Sequence, residues 1–554
     1  MMSWKRTAPG RIVTDMAPPY PFVPMASLLA SAIPAVFAGA ALGTSRTEPF
    51  RAASLASVAA LGLAALTAGT YAATGGVLAP PPRGAVVPAI TRWVHLDVLT
   101  LAVLLLVCTL GFVIVRYSRT YLEREQGLPR YVRSLLVTLS AVTLLVTSNH
   151  LLVIAAAWTA TSLSLHQLLT FYRDRPRALV AAHKKFLLSR LADGCFIGSL
   201  ALVHGVVGSL RLDDVNAWAR THGSLPPAMH VATTLLVLGV AMKTAQIPFH
   251  GWLTQVMEAP TPVSALLHAG VVNVGGLVLI RLAPLMHHAW IARGILGAIG
   301  LATAVVGSLV MTTRPSIKAT LAWSTIAQMG LMLVECALGA THLALLHLVA
   351  HSLYKAHAFL SAGTTVQSWR ALSLVSLPAN SGARVVAATA IAAGVVGAVA
   401  AVMVRTGLLH AGPSLAPIGL ILALSATPLL LGVADEPARA VARAVLRVAM
   451  VASSYFGWHA LFGRWVPAAP ESPGLVLAWS AVAAAFVALF LVEAALSVRP
   501  RSRLARWLHP RLAAGLYLDE LFTRATFRVW PPRLGESSAR GGAHGGTAAL
   551  VVRS

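Results

Sequence analysis

The chain contains about fifteen apolar stretches of roughly twenty residues each, the length a helix needs to cross the hydrocarbon of a bilayer. They fall near 22–43, 52–74, 97–115, 134–148, 149–171, 186–208, 229–249, 262–283, 290–311, 318–339, 342–366, 385–404, 416–433, 444–462 and 474–497. Lipid offers no hydrogen bonds, so segments this apolar must satisfy their backbone internally, as helices. Of 554 residues, 57% are hydrophobic and 11% charged, and the mean hydropathy is +0.74. The expected fold is an all-α polytopic membrane protein with several helices broken at Gly or Pro. Its expected organisation is an N-terminal segment (1–21), N-terminal helices (22–148), a conducting core (149–370), C-terminal helices (371–498) and an amphipathic tail (499–554).

The formal charge of +25 invites a nucleic-acid reading, but the distribution of the charge argues against one. Basic residues crowd alternate loops: Arg116 to Arg133, Arg173 to Lys185, Arg439 to Arg447 and Arg499 to Arg506. Placing these loops in the cytoplasm puts about 25 Lys and Arg inside against about 11 outside, as the positive-inside rule requires. The topology is then N-out and C-in, in a bacterial inner membrane. Lys5, Arg6 and Arg11 would lie on the wrong side, a conflict that a start at Met16 or Met25 removes. No cleavable signal pattern is present.

Cys108, Cys195 and Cys336 are isolated in apolar segments, without metal-ligand spacing. No dinucleotide fingerprint, P-loop or nucleophile elbow occurs. The expectation is no cofactor, no metal and no catalytic residue of the chain's own, which leaves transport.

Ionisable residues inside the apolar segments carry the functional signal, because charge in a bilayer is costly and is usually retained for function. Within AMKTAQIPFHGWLTQVMEAPTPVSALLHAG (241–270), Lys243 precedes Pro248, which removes a helical hydrogen bond and should break the helix there. Broken helices expose polar backbone inside protein, where it can hold water or ions. Glu258 and a Pro260-Thr261-Pro262 turn lead to His268 on the next helix. The plain alternative for Lys243 is a snorkelling side chain. Further on, His347, His351 and Lys355 repeat at i, i+4 and i+8 and so line one helix face over about 12 Å. Imidazole accepts on one nitrogen while donating from the other, which suits a proton relay. A metal site, or histidines bonded to carbonyls, are the alternatives. His357 lies off that face.

Three blocks (95–122, 241–269, and 317–335 with 347–366) resemble the proton-conducting membrane subunits of respiratory complex I, of the chain 5 or subunit L type shared with Mrp cation antiporters. The resemblance covers roughly residues 90–370, and PTPVSALLH is its most specific part. It implies two inverted five-helix repeats with broken helices, and proton-path roles for Lys243, His268, His347, His351 and Lys355.

The departures from that family are equally informative. Complex I members carry a glutamate after the tryptophan of the fifth helix, paired with the broken-helix lysine, where this chain has Trp158-Thr159. Asp193 matches a family acidic position and is the expected counter-charge of Lys243, unless it merely pairs with Arg190. Thr159 and His166 are the other substitutes considered. Residues 385–434 contain no lysine, and no long lateral helix is expected. These features fit the shortened relatives, the DabB-type membrane subunits of inorganic carbon accumulation complexes. That resemblance implies a large peripheral zinc-binding partner similar to β-carbonic anhydrase, with proton or Na+ flow driving CO2 hydration. An Mrp-type Na+/H+ antiporter subunit or a NADH-quinone-oxidoreductase-like subunit is the second reading, and a stand-alone permease the third. The tail at 499–533, interrupted at Pro510, is expected to dock on a partner or on lipid headgroups, and the last twenty residues to be disordered.

Overall fold

The computed structural model describes residues 22–45, 47–73, 92–172, 175–363, 381–412, 414–433, 437–466 and 473–530. Lys5, Arg6, Arg11 and the Gly- and Ser-rich last residues lie outside them. Among the described residues all regular structure is helical, and β pairing is limited to two isolated bridges, Val94 with Ser148 and His150 with Arg211.

In chain order the helices are α1 (Phe22–Leu42), α2 (Pro49–Ala73), α3 (Val98–Tyr121), α4 (Leu128–Thr147), α5 (Leu151–Leu169), α6 (Pro176–Val207), α7 (Leu212–Thr221) and α8 (Pro227–Lys243). There follow α9 (Gly251–Gln255), α10 (Thr261–Ala269), α11 (Val274–Arg281), α12 (Ala283–His288), α13 (Trp290–Met311), α14 (Ile317–Ala337) and α15 (Thr341–Leu360). The remainder are α16 (Gly382–Arg405), α17 (Leu415–Leu431), α18 (Ala438–Trp465), α19 (Pro473–Val498), α20 (Arg503–Ala513) and α21 (Glu520–Val529).

Among the described residues, twelve helical spans are long and apolar enough to cross a membrane, against the expected fifteen or so. The apolar helices α8 and α17 are shorter, and α15 carries five ionisable side chains, His342, His347, His351, Lys355 and His357. The most apolar part of the span Thr261–Arg281 is 94% buried, whereas that of α19 is 17% buried. The α10–α11 pair is therefore the axis of the bundle, and α19 lies at its edge.

Helices α13 and α14 meet backbone to backbone. A methyl group added at Gly300 would lie 2.7 Å from the carbonyl oxygen of Gly330, the close approach that small residues permit between membrane helices. At one end of the bundle the buried Arg281 guanidinium donates to the carbonyls of Leu145 (3.2 Å) and Ser148 (3.3 Å), capping α4, and to Thr100 Oγ1 (2.8 Å). Nearby, His95 lies 3.1 Å from Asp213 and 3.4 Å from Asp97, and Asp97 caps α3 through the Thr100 amide.

Two sequence expectations are corrected at the opposite end, which carries the basic loops. Lys184 and Lys185 are not loop residues: α6 starts at Pro176 and buries both, leaving them 1% and 4% exposed. In the tail, α20 and α21 fold back onto the core, as Arg314 donating to the Leu512 carbonyl (3.1 Å) shows, while Leu504, Trp507 and Phe527 stay exposed. Pro510 lies inside α20, and the break falls instead at Leu516, where the backbone is left-handed (φ 56°).

Candidate ion-transfer site

The break after Lys243 forms as the sequence predicts. Helix α8 stops at Lys243, Ala245 adopts a left-handed φ of 54°, and the Ile247-Pro248 bond is cis. The Ile247 amide, unpaired where α8 stops, donates to Thr303 Oγ1 on α13 (3.1 Å), and the Thr244 carbonyl, which Pro248 leaves without a helical donor, accepts from Gln246 Nε2 (3.0 Å). His250, beyond the break, is buried and packs on Trp323.

Lys243 does not snorkel. Its side chain is 3% exposed and its Nζ lies 2.6 Å from Asp193 Oδ1 on α6. The rings of Trp158 and Phe196 face the same ammonium at 4.8 and 5.3 Å. Asp193 also contacts Arg190 Nη2 at 2.8 Å; the helix pair and the cross-helix pair coexist on one carboxylate. A buried ion pair is tolerable when several partners share its desolvation cost. Two turns and more from Asp193 toward the basic end, about 12 Å along α6, Lys185 Nζ donates to the Ser162 carbonyl (2.8 Å) and hydroxyl (3.0 Å) on α5, within electrostatic reach of Lys243 and Asp193.

No hydrogen bond or ion pair joins Thr159 or His166 to Lys243 among the described residues. His166 instead stacks with His183 and Trp530. Glu258 is at the basic end, paired with Arg175 at 3.5 Å and 37% exposed, apart from the buried groups.

A second cluster forms where α15 packs on α10 and α14. His347 and His351 follow one another with rings 6.1 Å apart. His351 Nε2 donates to the backbone carbonyl of His268 (3.3 Å), which leaves Nδ1 as the nitrogen with the free lone pair. His268 is fully buried against Phe359, and neither of its ring nitrogens has a partner among the described residues. Lys355, also fully buried, donates to Ser324 Oγ (2.8 Å) and the Leu321 carbonyl (3.2 Å) of α14. His357 is exposed, off the file. The i, i+4, i+8 spacing therefore does place His347, His351 and Lys355 on one face, facing protein.

Sequence reasoning missed Glu335. Its Oε2 lies 3.1 Å from His347 Nδ1, and both side chains line a cavity of about 750 Å³ between α14–α15 and α17–α19, with His351, Tyr354, Tyr455 and Trp479. The signal was available, since Glu335 is an acid in an apolar helix, but it sits close to the helix end and reads as a boundary. Among the described residues no cluster of three or more His, Cys, Asp or Glu side chains has metal-binding geometry.

A membrane helix broken beside a buried lysine–aspartate pair, followed by a second buried lysine with histidines on adjoining helices, is the arrangement of an ion-translocating membrane subunit. Residues 148–432 match the family model described as NADH:quinone oxidoreductase/Mrp antiporter, transmembrane, and residues 90–132 match that of the complex I chain 5 N-terminus. The chain belongs to this NADH:quinone oxidoreductase/Mrp antiporter family.

Among curated relatives, the probable inorganic carbon transporter subunit DabB of Hydrogenovibrio crunogenus is 50% identical over 281 residues, 50% of this chain and 54% of that one. That match therefore spans about half the relative's length. The probable inorganic carbon transporter subunit DabB2 of Halothiobacillus neapolitanus is 38% identical over 464 residues, 80% and 82% of the two chains. In fold, the chain resembles a subunit of the archaeal membrane-bound sulfane sulfur reductase (TM-score 0.53, 16% identity, 91% and 100% coverage). It also resembles a chain of the Mrp complex from Dietzia sp. DQ12-45-1b (TM-score 0.52, 22% identity, 94% and 57% coverage).

Proposed function

We propose that this protein is the proton-conducting membrane subunit of an inorganic carbon uptake complex, seated in the bacterial inner membrane with its C-terminus in the cytoplasm. Proton flow down the electrochemical gradient drives a peripheral, zinc-binding, carbonic-anhydrase-like partner that hydrates CO2 to bicarbonate. The observation that carries the reading is the Lys243–Asp193 pair at 2.6 Å beside the helix break. An ion pair in the membrane interior opens when a proton or a field perturbs either member, and such pairs are natural coupling elements. The relatives named as inorganic carbon transporter subunits support the choice of process.

The driving force is sufficient. One charge crossing 100 mV releases about 2.3 kcal/mol, enough to hold the partner's reaction roughly fiftyfold from equilibrium.

The test is co-purification from native membranes, followed by carbon-dependent growth of a Lys243→Ala strain. The reading expects a zinc protein to co-purify and Lys243→Ala to assemble normally without supporting growth at ambient CO2. Full growth by an assembled Lys243→Ala protein overturns it. Sodium-dependent flux, with a multi-subunit antiporter assembly in place of the zinc protein, would move the chain to the Mrp-type reading.

A further inference from the structure

The tail brings one acid to the place where the basic face meets the broken helix. Asp519, just before α21, accepts from Lys184 Nζ through both oxygens, at 3.0 and 2.8 Å. Thr523 Oγ1, one turn on, accepts from the same ammonium (2.8 Å), and Gln255 Nε2 at the end of α9 donates to Asp519 Oδ2 (2.8 Å). The carboxylate lies directly over Gly251, where any side chain would run into it. Around it, Phe522 packs edge-on against Phe249 and Trp530 stacks on His183 with ring centres 3.9 Å apart.

Such a position has the two properties that the mouth of a proton path requires. Asp519 is 24% exposed and so exchanges protons with bulk water, while Lys184 beneath it is 1% exposed. His250, at the far edge of the helix break, feels the field of Asp519 together with those of Lys184 and Arg314. Lys184 leads along α6 to Lys185 and then to Asp193, nine residues or about 13 Å deeper. Among the acids at this end, Glu258 is taken by Arg175 on the surface.

We infer that Asp519 is the proton-releasing carboxylate at the basic-face mouth, supplied to the path by the folded-back tail; this rests on the proton-conducting reading above. Lys184 passes its proton to the Asp519 carboxylate, leaving a neutral amine beside a carboxyl. The carboxyl releases that proton to bulk water, and the amine is reloaded by a proton from the interior, restoring the ion pair. One proton has moved from the interior to bulk, and nothing else has changed.

The experiment uses the full-length protein in proteoliposomes, with proton flux read by a pH-sensitive dye under a potassium diffusion potential. Docking of the tail is read in parallel as trypsin resistance of a C-terminally tagged chain. Asp519→Asn is expected to keep the tail protected, because the amide still accepts from Lys184, and to slow flux about tenfold or more. Adding Thr523→Asp, which returns a carboxylate to the same ammonium, should restore flux to within about threefold of the unmodified protein. Undiminished flux in Asp519→Asn, loss of flux only together with loss of protection, or a double variant no faster than Asp519→Asn each overturns the inference. Lys243→Ala in the same assay separates the two levels: if it conducts normally the underlying reading fails, and if it is silent while Asp519→Asn is normal only the mouth assignment fails.

Discussion

Lys243 and Asp193 lie 2.6 Å apart across two helices, and Arg190 holds the same carboxylate from its other side at 2.8 Å. The pair thus has a resident competitor: one carboxylate serves two cations at once.

Asp193→Asn leaves Lys243 without its counter-charge, a change that costs about 3 to 5 kcal/mol when a buried pair loses one member. Proton flux and growth at ambient CO2 should fall while side-chain volume is kept. Placing Thr159→Glu on that background should recover part of the activity, because an acid from α5 can serve the same ammonium. Flux equal to the unmodified protein in Asp193→Asn rejects the pair as a coupling element.

On α15, His351→Ala removes a buried imidazole whose Nε2 is fixed by the His268 carbonyl, and flux should drop about a hundredfold. His357→Ala, at an exposed position, should change it by less than about twofold. Proteoliposome flux on both variants decides; equally severe defects would show that the face bearing His347, His351 and Lys355 is not the path.

Glu335 and His347 should behave as one unit. In a double-mutant cycle, Glu335→Gln and His347→Gln are each expected to slow flux several-fold, with the double variant no slower than the worse single one. Additive effects would separate the two residues.

At the end away from the basic loops, His95 gives a pH signature. Burial opposes its charged form, but Asp213 and Asp97 hydrogen-bond the imidazolium and raise its pKa to about 8. A folded value above the usual 6.5 means that the stabilisation is complete below about pH 6.5 and is lost as pH rises through about 8. The thermal midpoint should fall between pH 6.5 and 8.5 by an amount corresponding to roughly 2 kcal/mol. His95→Gln should be less stable at pH 6 and nearly flat over that window, as measured by fluorescence in detergent. An unchanged slope in the variant removes His95 as the source.

The fold was legible because lipid leaves a chain so few choices: apolar length gave the helices, and Pro248 gave the break. Lys243 and the α15 file stood out because an ionisable group inside an apolar run is costly, and Asp193 through its match to an acidic position of the family. What escaped the sequence was long-range or sat at a boundary. Lys184 and Lys185 read as a basic flank because the continuous apolar run begins only at Phe186, yet α6 starts ten residues earlier and sinks both. The shared carboxylate of Asp193 needed coordinates, since pairing with Arg190 and pairing with Lys243 look like alternatives in sequence. Asp519 could not be connected to Lys184 by any local pattern, and the amphipathic spacing of its segment fits lipid, a partner or the chain's own core equally well.

The contact between Lys184 and Asp519 spans 335 residues. At ribosomal speeds of about 5 to 20 residues per second, the lysine waits roughly 20 to 70 s for its carboxylate. The last of the described membrane helices, α19, is made before the segment that seals this end. Closure at Gly251 therefore follows synthesis of all the described spans, and a chain halted after α19 would present Lys184 unsealed.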